Sequence, residues 1–305
     1  MPVFSHMLIP LDGSRLAEAV LPTALDLASG LKTRVTLLHV LERDAPSTRH
    51  GDPHLTDAQS AGHYLAGLAE SYAGTGLQID YHVHDNPEND VAASIASHVY
   101  ELGADIVALT PHGRPDLRRW LVGSIPQIVL QRSSIPALFV PPGATNKAHD
   151  LEIRSVLVPI EGHGAEDVLG VAQQLSAALG AEVYVVQVVP TLGTVRGENL
   201  ATAIFSPVST AATLDLEEQA AQANLAAYLQ SWTAEKRPSV AVLRGEPVQV
   251  LLDTVNQLSP DLILMSTHGK SGLAGVWSAS VAARIVGRSP RPVLLLPVQS
   301  QQAPS

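Results

Sequence analysis

The chain repeats itself, and this internal repeat constrains its fold more than any other feature. The segment ADIVALTPHG at 104–113 returns as PDLILMSTHG at 260–269, and SSIPALFVPP at 133–142 returns as SPRPVLLLPV at 289–298. Both pairs lie 156 positions apart (104 to 260 and 133 to 289), so this part of each half aligns without a gap. LIPLDG and VTLLHV return in the same order as LVPIEG and VYVVQV. The sequence therefore predicts two tandem domains built on one plan.

The domain boundaries follow from the ends of the repeats. We predict domain 1 at residues 1–143 and domain 2 at 152–298. Residues 144–151 belong to a polar stretch with Pro, Gly and no apolar period, which is typical of a linker. We expect the tail at 299–305 to be disordered.

Each half alternates short apolar runs with Ala- and Leu-rich segments of helical period. The runs of the first half are MLIPL, RVTLLHV, LQIDYHV, DIVALT and ALFVP. Continuous apolar strands separated by helices indicate a parallel sheet that is covered on both faces. The predicted fold class is α/β, with two tandem doubly wound, Rossmann-like domains, each having a five-stranded parallel sheet and about four helices. Such sheets bind ligands beyond the carboxyl ends of their strands, where the strand order switches.

The composition excludes several classes of partner and site. A formal net charge of -10 argues against a nucleic-acid binder, because such affinity comes largely from Lys and Arg neutralising phosphates. The absence of cysteine excludes disulfides and thiolate metal sites and agrees with a reducing compartment. No apolar run approaches the ~20 residues of a membrane helix, and Asp12 comes too early for a signal-peptide core. We expect a cytoplasmic protein without a membrane partner.

Polar and glycine residues follow the first and fourth predicted strands. Asp12 follows the first strand, and Thr110 and Gly113 follow the fourth. Nine residues separate Gly113 from Gly123, which is followed by Ser124 as a candidate helix N-cap. A helix N-terminus offers free N–H groups to an anion, and glycine lets a phosphate approach the backbone. The spacing predicts a site for the phosphates of a nucleotide, with Asp12 across the cleft as an acceptor for ribose or adenine donors.

At these residues the chain resembles the universal stress protein family, whose nucleotide-binding members carry G-2x-G-9x-G-[ST] after the fourth strand. The first half reads T-2x-G-9x-G-S from Thr110 to Ser124, and the second reads S-2x-G-9x-A-S from Ser266 to Ser280. The resemblance covers nearly the whole of both halves. For domain 1 it implies nucleotide contacts by Pro10, Asp12, Val40, Thr110, His112, Gly113, Arg114, Gly123, Ser124 and Ile125. For domain 2 it implies weaker contacts by Pro159, Glu161, Val188, Ser266, His268, Gly269, Lys270, Ala279, Ser280 and Val281.

The resemblance also implies a function. We expect ATP, ADP or AMP mainly in domain 1, in a stress-response sensor or interaction module whose protein partner the sequence does not name; whether Mg²⁺ accompanies ATP stays open. No catalytic residue and no metal site are predicted. The family resemblance further implies an internal pseudo-dimer through the strands ALFVP and VLLLP, and a homodimer is left open. Two rival functions stay open, namely a slow ATPase or phosphoryl or adenylyl transferase, and a nucleotide-free scaffold.

Histidines outside the motif allow a metal-site reading. His82 and His84 point to one side of a predicted strand, and His50, His54 and His63 lie in a polar loop and the following helix start. A metal ion is one interpretation of each group. The favoured interpretation for the first pair is a solvated strand end, because two histidines alone seldom suffice for a metal.

The repeats predict two unequal sites. Domain 2 carries Glu161 in place of Asp and Ala279 in place of the last glycine. At a position with positive φ, alanine costs about 1–2 kcal/mol, and its methyl group would also collide with phosphate. We expect the double variant Glu161→Asp, Ala279→Gly to bind nucleotide in domain 2 more tightly, as measured by calorimetric titration. Equal affinities of the two unmodified domains would contradict this interpretation.

Overall fold

The computed structural model describes residues 3–49, 51–111, 128–129, 132–144, 152–160, 165–191, 207–267 and 281–297. The chain divides into two compact units. The first unit comprises Met1–Ile153 together with Thr267–Ser305, and the second comprises Arg154–Ser266. Most of the predicted linker and all of the predicted tail lie outside the described residues.

Strands and helices alternate along both repeats. The first repeat contains β1 His6–Pro10, α1 Arg15–Glu18, α2 Leu21–Leu31, β2 Arg34–Glu42, β3 Thr48–Arg49, β4 Asp52–Pro53, α3 Ala58–Ser71, β5 Ile79–Glu88, α4 Val91–Glu101, β6 Ile106–Leu109 and β7 Ala137–Phe139. A short 3₁₀ turn lies at Ala73–Thr75. The second repeat contains β8 Ser155–Ile160, α5 Glu166–Leu179, β9 Glu182–Val189, α6 Pro207–Ser231, β10 Ser239–Arg244, α7 Pro247–Leu258, β11 Leu262–Thr267, α8 Val281–Val286 and β12 Val293–Pro297.

The strands of each unit are hydrogen-bonded in a doubly wound order. In the first unit the order is β12-β7-β6-β1-β2-β5, with all pairs parallel except β7 and β12. In the second unit the order is β10-β9-β8-β11, with all pairs parallel. The predicted α/β class, with a predominantly parallel sheet in alternation with helices, is confirmed. The strands ALFVP and VLLLP do meet, as an antiparallel pair in which Phe139 is opposite Val293.

The burial of the strands follows their place in the sheet. The central strand β6 and most of β1 are buried, as their uninterrupted apolar sequences predict. In the outer strands β5 and β10 every position is exposed or half-buried. Among the described residues, no helix is both long and apolar enough to cross a membrane.

One predicted helical segment is divided. RLAEAVLPTALDLASG forms α1 and α2, which are separated at Ala19 and Val20. Pro22 causes the division, because it has no amide hydrogen and its ring would clash with the carbonyl group four residues earlier in a continuous helix. Pro22 instead occupies the first turn of α2, where no hydrogen bond is lost.

A carboxylate at the start of the fourth strand holds the start of the first strand in both repeats. Asp105 accepts hydrogen bonds from the backbone N–H of Ser5 at 2.8 Å, from that of His6 at 2.9 Å and from the Ser5 hydroxyl at 2.6 Å. Asp261 accepts from the backbone N–H groups of Arg154 and Ser155, both at 3.0 Å, and from the Ser155 hydroxyl at 2.8 Å. These carboxylates satisfy N–H groups that lie before the strand pairing begins.

We expect Asp105→Ala and Asp261→Ala each to lower the free energy of unfolding by about 1–3 kcal/mol, because several donors lose a charged acceptor. Urea denaturation would measure the loss. Asp80→Ala is the matched control, since Asp80 is exposed and its carboxylate has one long contact of 3.4 Å with Gln78; it should change the stability by less than about 0.5 kcal/mol. If Asp105→Ala and Asp261→Ala were both as stable as the wild type, these carboxylates would not hold the first strand of each repeat.

Candidate functional site

The switch in strand order lies beside β1. This strand pairs with β2 on one side and with β6 on the other, where Leu8 is opposite Val107. Asp12 follows β1 and Thr110 follows β6 directly, so both lie at the carboxyl edge of neighbouring parallel strands. Crevices at this place are the usual ligand sites of doubly wound sheets. The structure thus brings together two residues that are 98 positions apart in sequence (12 to 110).

The turn after β1 fixes the carboxylate of Asp12. One oxygen, Oδ1, accepts the backbone N–H of Ser14 at 3.0 Å and the Ser14 hydroxyl at 2.6 Å. The same hydroxyl oxygen accepts the N–H of Ala17 at 3.1 Å and so caps α1. Asp12 is half-buried, whereas Ser14 is buried. The helix cap therefore orients the carboxylate at the edge of the sheet.

Strand β2 extends past the end of β1 and forms one side of the crevice. The last contact between them is the N–H of Leu11 donating to Leu38 at 2.8 Å, and β2 then continues to Glu42. Val40 lies in this extension, opposite His84 of β5, and its side chain is buried. Because β1 has ended, no described strand pairs with that side of the extension at Val40. His39 fixes the junction, because its Nδ1 donates to the Leu11 carbonyl at 2.7 Å.

The side chain of Thr110, a predicted nucleotide contact, also makes a bond within the protein. Its side chain is buried, and its hydroxyl donates to the carbonyl of Ala17 at 3.3 Å. This bond ties the end of β6 to α1. The hydroxyl thereby contributes to the frame of the crevice.

The structure places four of the ten predicted domain 1 contacts around this crevice, with Pro10 as the last residue of β1. The others, His112, Gly113, Arg114, Gly123, Ser124 and Ile125, lie outside the described residues.

The turn after Asp12 is covered by Asp52 and Leu55, which the sequence pattern does not single out. Asp52 of β4 accepts the backbone N–H of Arg15 at 3.0 Å and its Nε at 3.3 Å. Leu55 packs against Gly13, where an added Cβ would lie 2.8 Å from the leucine side chain. The sequence gives little sign of these contacts, because they join positions about forty residues apart within an irregular segment (13 to 55).

Tyr64 adds a neutral donor behind the turn. Its hydroxyl donates to Glu18 Oε1 at 2.9 Å. Burial raises the pKa of Tyr64 far above its usual range, and the negative charges of Glu18 and Asp12 raise it further. The phenol therefore stays protonated at physiological pH.

The second repeat places its predicted contacts on equivalent strands. Pro159 is buried in β8, Val188 is half-buried in β9 opposite Leu243, and Ser266 lies in β11. Val281 begins α8 in the first unit. Glu161, His268, Gly269, Lys270, Ala279 and Ser280 lie outside the described residues.

The two repeats differ at the position that precedes Val40 in β2 and Val188 in β9. Gln187 stands where the first repeat has His39, and its buried Oε1 has no hydrogen-bond partner in the part of the chain that the structure describes. By contrast, the imidazole of His39 fixes the preceding turn through the Leu11 carbonyl. The first repeat thus has a side-chain tie between its second strand and the turn after its first strand.

The interpretation of His82 and His84 as a solvated strand end is wrong. Both rings contact the buried His98 of α4, with centroid distances of 5.1 Å and 5.0 Å.

His54 is also buried, with its Nε2 3.6 Å from Glu42, whereas His63 is exposed and His50 lies outside the described residues. No group of three or more side chains in the described ranges is arranged to hold a metal ion.

The family model of the universal stress protein family matches the chain twice, at residues 4–141 and 152–297. The chain belongs to the universal stress protein family. A universal stress protein of Mycolicibacterium smegmatis is 27% identical over 198 residues, which cover 63% of this chain and 62% of that relative. The chain thus spans less than two thirds of the relative's length.

Two solved structures share the fold of this universal stress protein. One is a universal stress protein from Archaeoglobus fulgidus, with a TM-score of 0.65, 16% identity and 98% of both chains covered. The other is a putative universal stress protein from Pseudomonas aeruginosa, with a TM-score of 0.65, 14% identity, and coverage of 96% of this chain and 93% of that one.

We expect Gly13→Ala to destabilise the protein by about 2–4 kcal/mol, because φ is +85° and the new methyl group collides with Leu55. In a Leu55→Ala background the collision disappears, and only the backbone strain of about 1–2 kcal/mol should remain. Urea denaturation of the four proteins would measure the coupling. Gly67→Ala, on α3 with no atom near the added methyl group, is the control. Equal costs in both backgrounds would show that Leu55 does not cover Gly13.

Proposed function

We propose that this universal stress protein binds an adenine nucleotide in its first repeat and acts as a stress-response sensor or interaction module. The observation that carries the proposal is the crevice at the strand switch, where Asp12, Thr110 and the extension around Val40 meet at one edge. An oriented carboxylate suits the hydroxyl or amino donors of a nucleoside. The unpaired side of the β2 extension offers backbone groups to a base.

The phosphate part of the proposal rests on sequence spacing. Gly113, Gly123 and Ser124 keep the family spacing after β6, and glycine followed by a helix start suits phosphate. ATP, ADP and AMP all fit this proposal, and Mg²⁺ would accompany ATP. Contacts from Arg114 would add positive charge.

A weaker second site is also part of the proposal. Glu161 and Ala279 replace the Asp and Gly of the first repeat, and Gln187 replaces His39. A longer acidic side chain moves the carboxylate, and a methyl group occupies space that a phosphate would need. A protein partner and a homodimer of two chains are further parts of the proposal. Binding experiments on the whole chain would test both.

A binding function agrees better with the crevice than enzymatic turnover does. The described hydroxyl nearest to Asp12 is that of Ser14, which is buried, donates to the carboxylate and caps α1. A hydroxyl in these bonds serves the turn and is poorly placed to attack a substrate. This arrangement argues against a covalent intermediate on Ser14 and leaves attack by water as the route of the ATPase alternative.

We expect wild-type protein to bind ATP in calorimetric titration, and Asp12→Asn to weaken binding by about 1–3 kcal/mol. Asparagine keeps an oxygen for the Ser14 N–H, so the turn should persist while the negative charge is lost. Gly123→Ala should also weaken binding, through the phosphates. Gly67→Ala is the control, since Gly67 lies on α3 with open space around it.

Three outcomes would overturn parts of the proposal. Unchanged affinity of Asp12→Asn would remove the crevice as the site. Release of inorganic phosphate at ordinary enzyme rates, abolished by Gly123→Ala, would favour the ATPase. Absence of heat on titration, together with no nucleotide in the denatured protein by mass spectrometry, would favour the scaffold.

A further inference from the structure

Three imidazole rings meet where the edge strand β5 lies against α4. His82 and His84 are two positions apart on β5 and so face the same side of the sheet. The ring centroids lie 5.1 Å and 5.0 Å from that of His98 on α4. His98 is buried, with 3% of its surface exposed, and His82 and His84 are half-buried. We define these three residues as the histidine cluster.

We propose that the histidine cluster is an acid-sensitive latch, which holds β5 on α4 at neutral pH and releases it when the rings become protonated. The proposal is independent of nucleotide binding. It rests on the geometry of the cluster and on the position of β5 at the edge of the sheet.

The two ring nitrogens of His98 face different groups. Its Nδ1 lies 2.7 Å from the Ser94 carbonyl, which can only accept, so this nitrogen carries a hydrogen. Its Nε2 faces Glu101 Oε2 at 3.8 Å. His84 Nε2 donates to Glu88 Oε1 at 3.3 Å.

The carboxylates around the histidine cluster can compensate for only part of the positive charge that protonation of its rings would add. Carboxylates come from Asp85 and Glu88 on β5 and from Glu101 on α4. Arg43 opposes them, because its guanidinium donates to the Pro87 carbonyl at 3.1 Å. The opposite neighbours of His82 and His84 on β2 are the apolar Leu38 and Val40. Glu88 and Glu101 lie beside His84 and His98, whereas protonation of all three rings would place like charges about 5 Å from His98 in a partly dry site.

The pKa of His82 agrees with this direction. Burial lowers it below 6.5, and the neighbouring His98 and His84 lower it further, while Glu101 and Asp85 act in the opposite sense. A histidine with a lowered pKa in the folded state stabilises the fold fully above its unfolded pKa of 6.5. This contribution is lost as the pH falls through the folded value. The latch therefore weakens on the acid side of neutrality.

Strand β5 is the part of the first unit that such a change would free. Within the described ranges it pairs with β2 alone, and all its residues are exposed or half-buried. Edge elements with few buried apolar groups open at lower free energy than central strands. Opening would also reach β2 at Val40, which is opposite His84.

Hydrogen exchange of the whole protein at pH 7.5 and pH 5.5, corrected for intrinsic rates, tests the latch. Opening constants for amides of β5 should rise several-fold more at pH 5.5 than those of β1 and β6. The comparison with β1 and β6 is needed because acid can affect β1 as well: burial and the charge of Arg34 lower the pKa of His6 in that strand. His82→Gln should remove most of the difference, because glutamine cannot be protonated. His63→Gln, at an exposed position on α3, should behave as wild type.

An equal rise in β5 and β1 would overturn the proposal, as would an undiminished rise in His82→Gln. NMR titration of the ring protons provides a second measurement that does not depend on opening. In the wild type the pKa of His82 is lowered by burial and by its neighbours His98 and His84, and His84→Gln should shift the His82 midpoint to higher pH. A His82 midpoint that is the same in both proteins would show that the rings titrate independently and form no latch.

Discussion

The pairing of the buried strand β1 with β2 and β6 is the constraint on which the rest of the first unit depends. Its residues Met7, Leu8 and Ile9 are fully buried, so its backbone groups must be satisfied within the sheet. Asp105 secures the strand at one end, and His39 secures the turn at the other. The crevice exists because β1 stops at Pro10 while β2 continues. The site is thus a consequence of unequal strand lengths in a rigid sheet.

The features that could be predicted from the sequence are those that repeat between the two halves or follow the period of a helix or strand. The five strands of the first half stand out as apolar runs, and the position of Asp12 and Thr110 follows from the rule for parallel sheets. Leu55 over Gly13, and Asp52 on Arg15, could not be predicted, because contacts between an irregular segment and a distant turn leave no periodic signal. His98 was missed for a related reason: α4 reads as an ordinary amphipathic helix, and only the fold shows which strand it faces.

The two repeats keep the same frame but differ in their crevices. Asp105 and Asp261, 156 positions apart, form the same bonds to the start of the first strand. His39 and Gln187 occupy matching places but differ in chemistry: the imidazole of His39 donates to the Leu11 carbonyl, whereas the buried Oε1 of Gln187 has no hydrogen-bond partner among the described residues. The groups that hold the sheet together are thus retained, while a group beside the crevice varies. This pattern is expected where stability and binding are supported by separate residues.

The membership of β12 in the first unit has a consequence for synthesis of the chain. β7 pairs with β6 on one side and with β12 on the other, yet β12 begins at Val293, after the whole second unit, Arg154–Ser266. Domains usually fold as they leave the ribosome, at about 5–20 residues per second. The first unit must therefore wait on the order of ten seconds with one edge of β7 unpaired while the second repeat is translated. An open strand edge is a site for wrong pairing, so β12 protects β7 from such pairing once it has been translated.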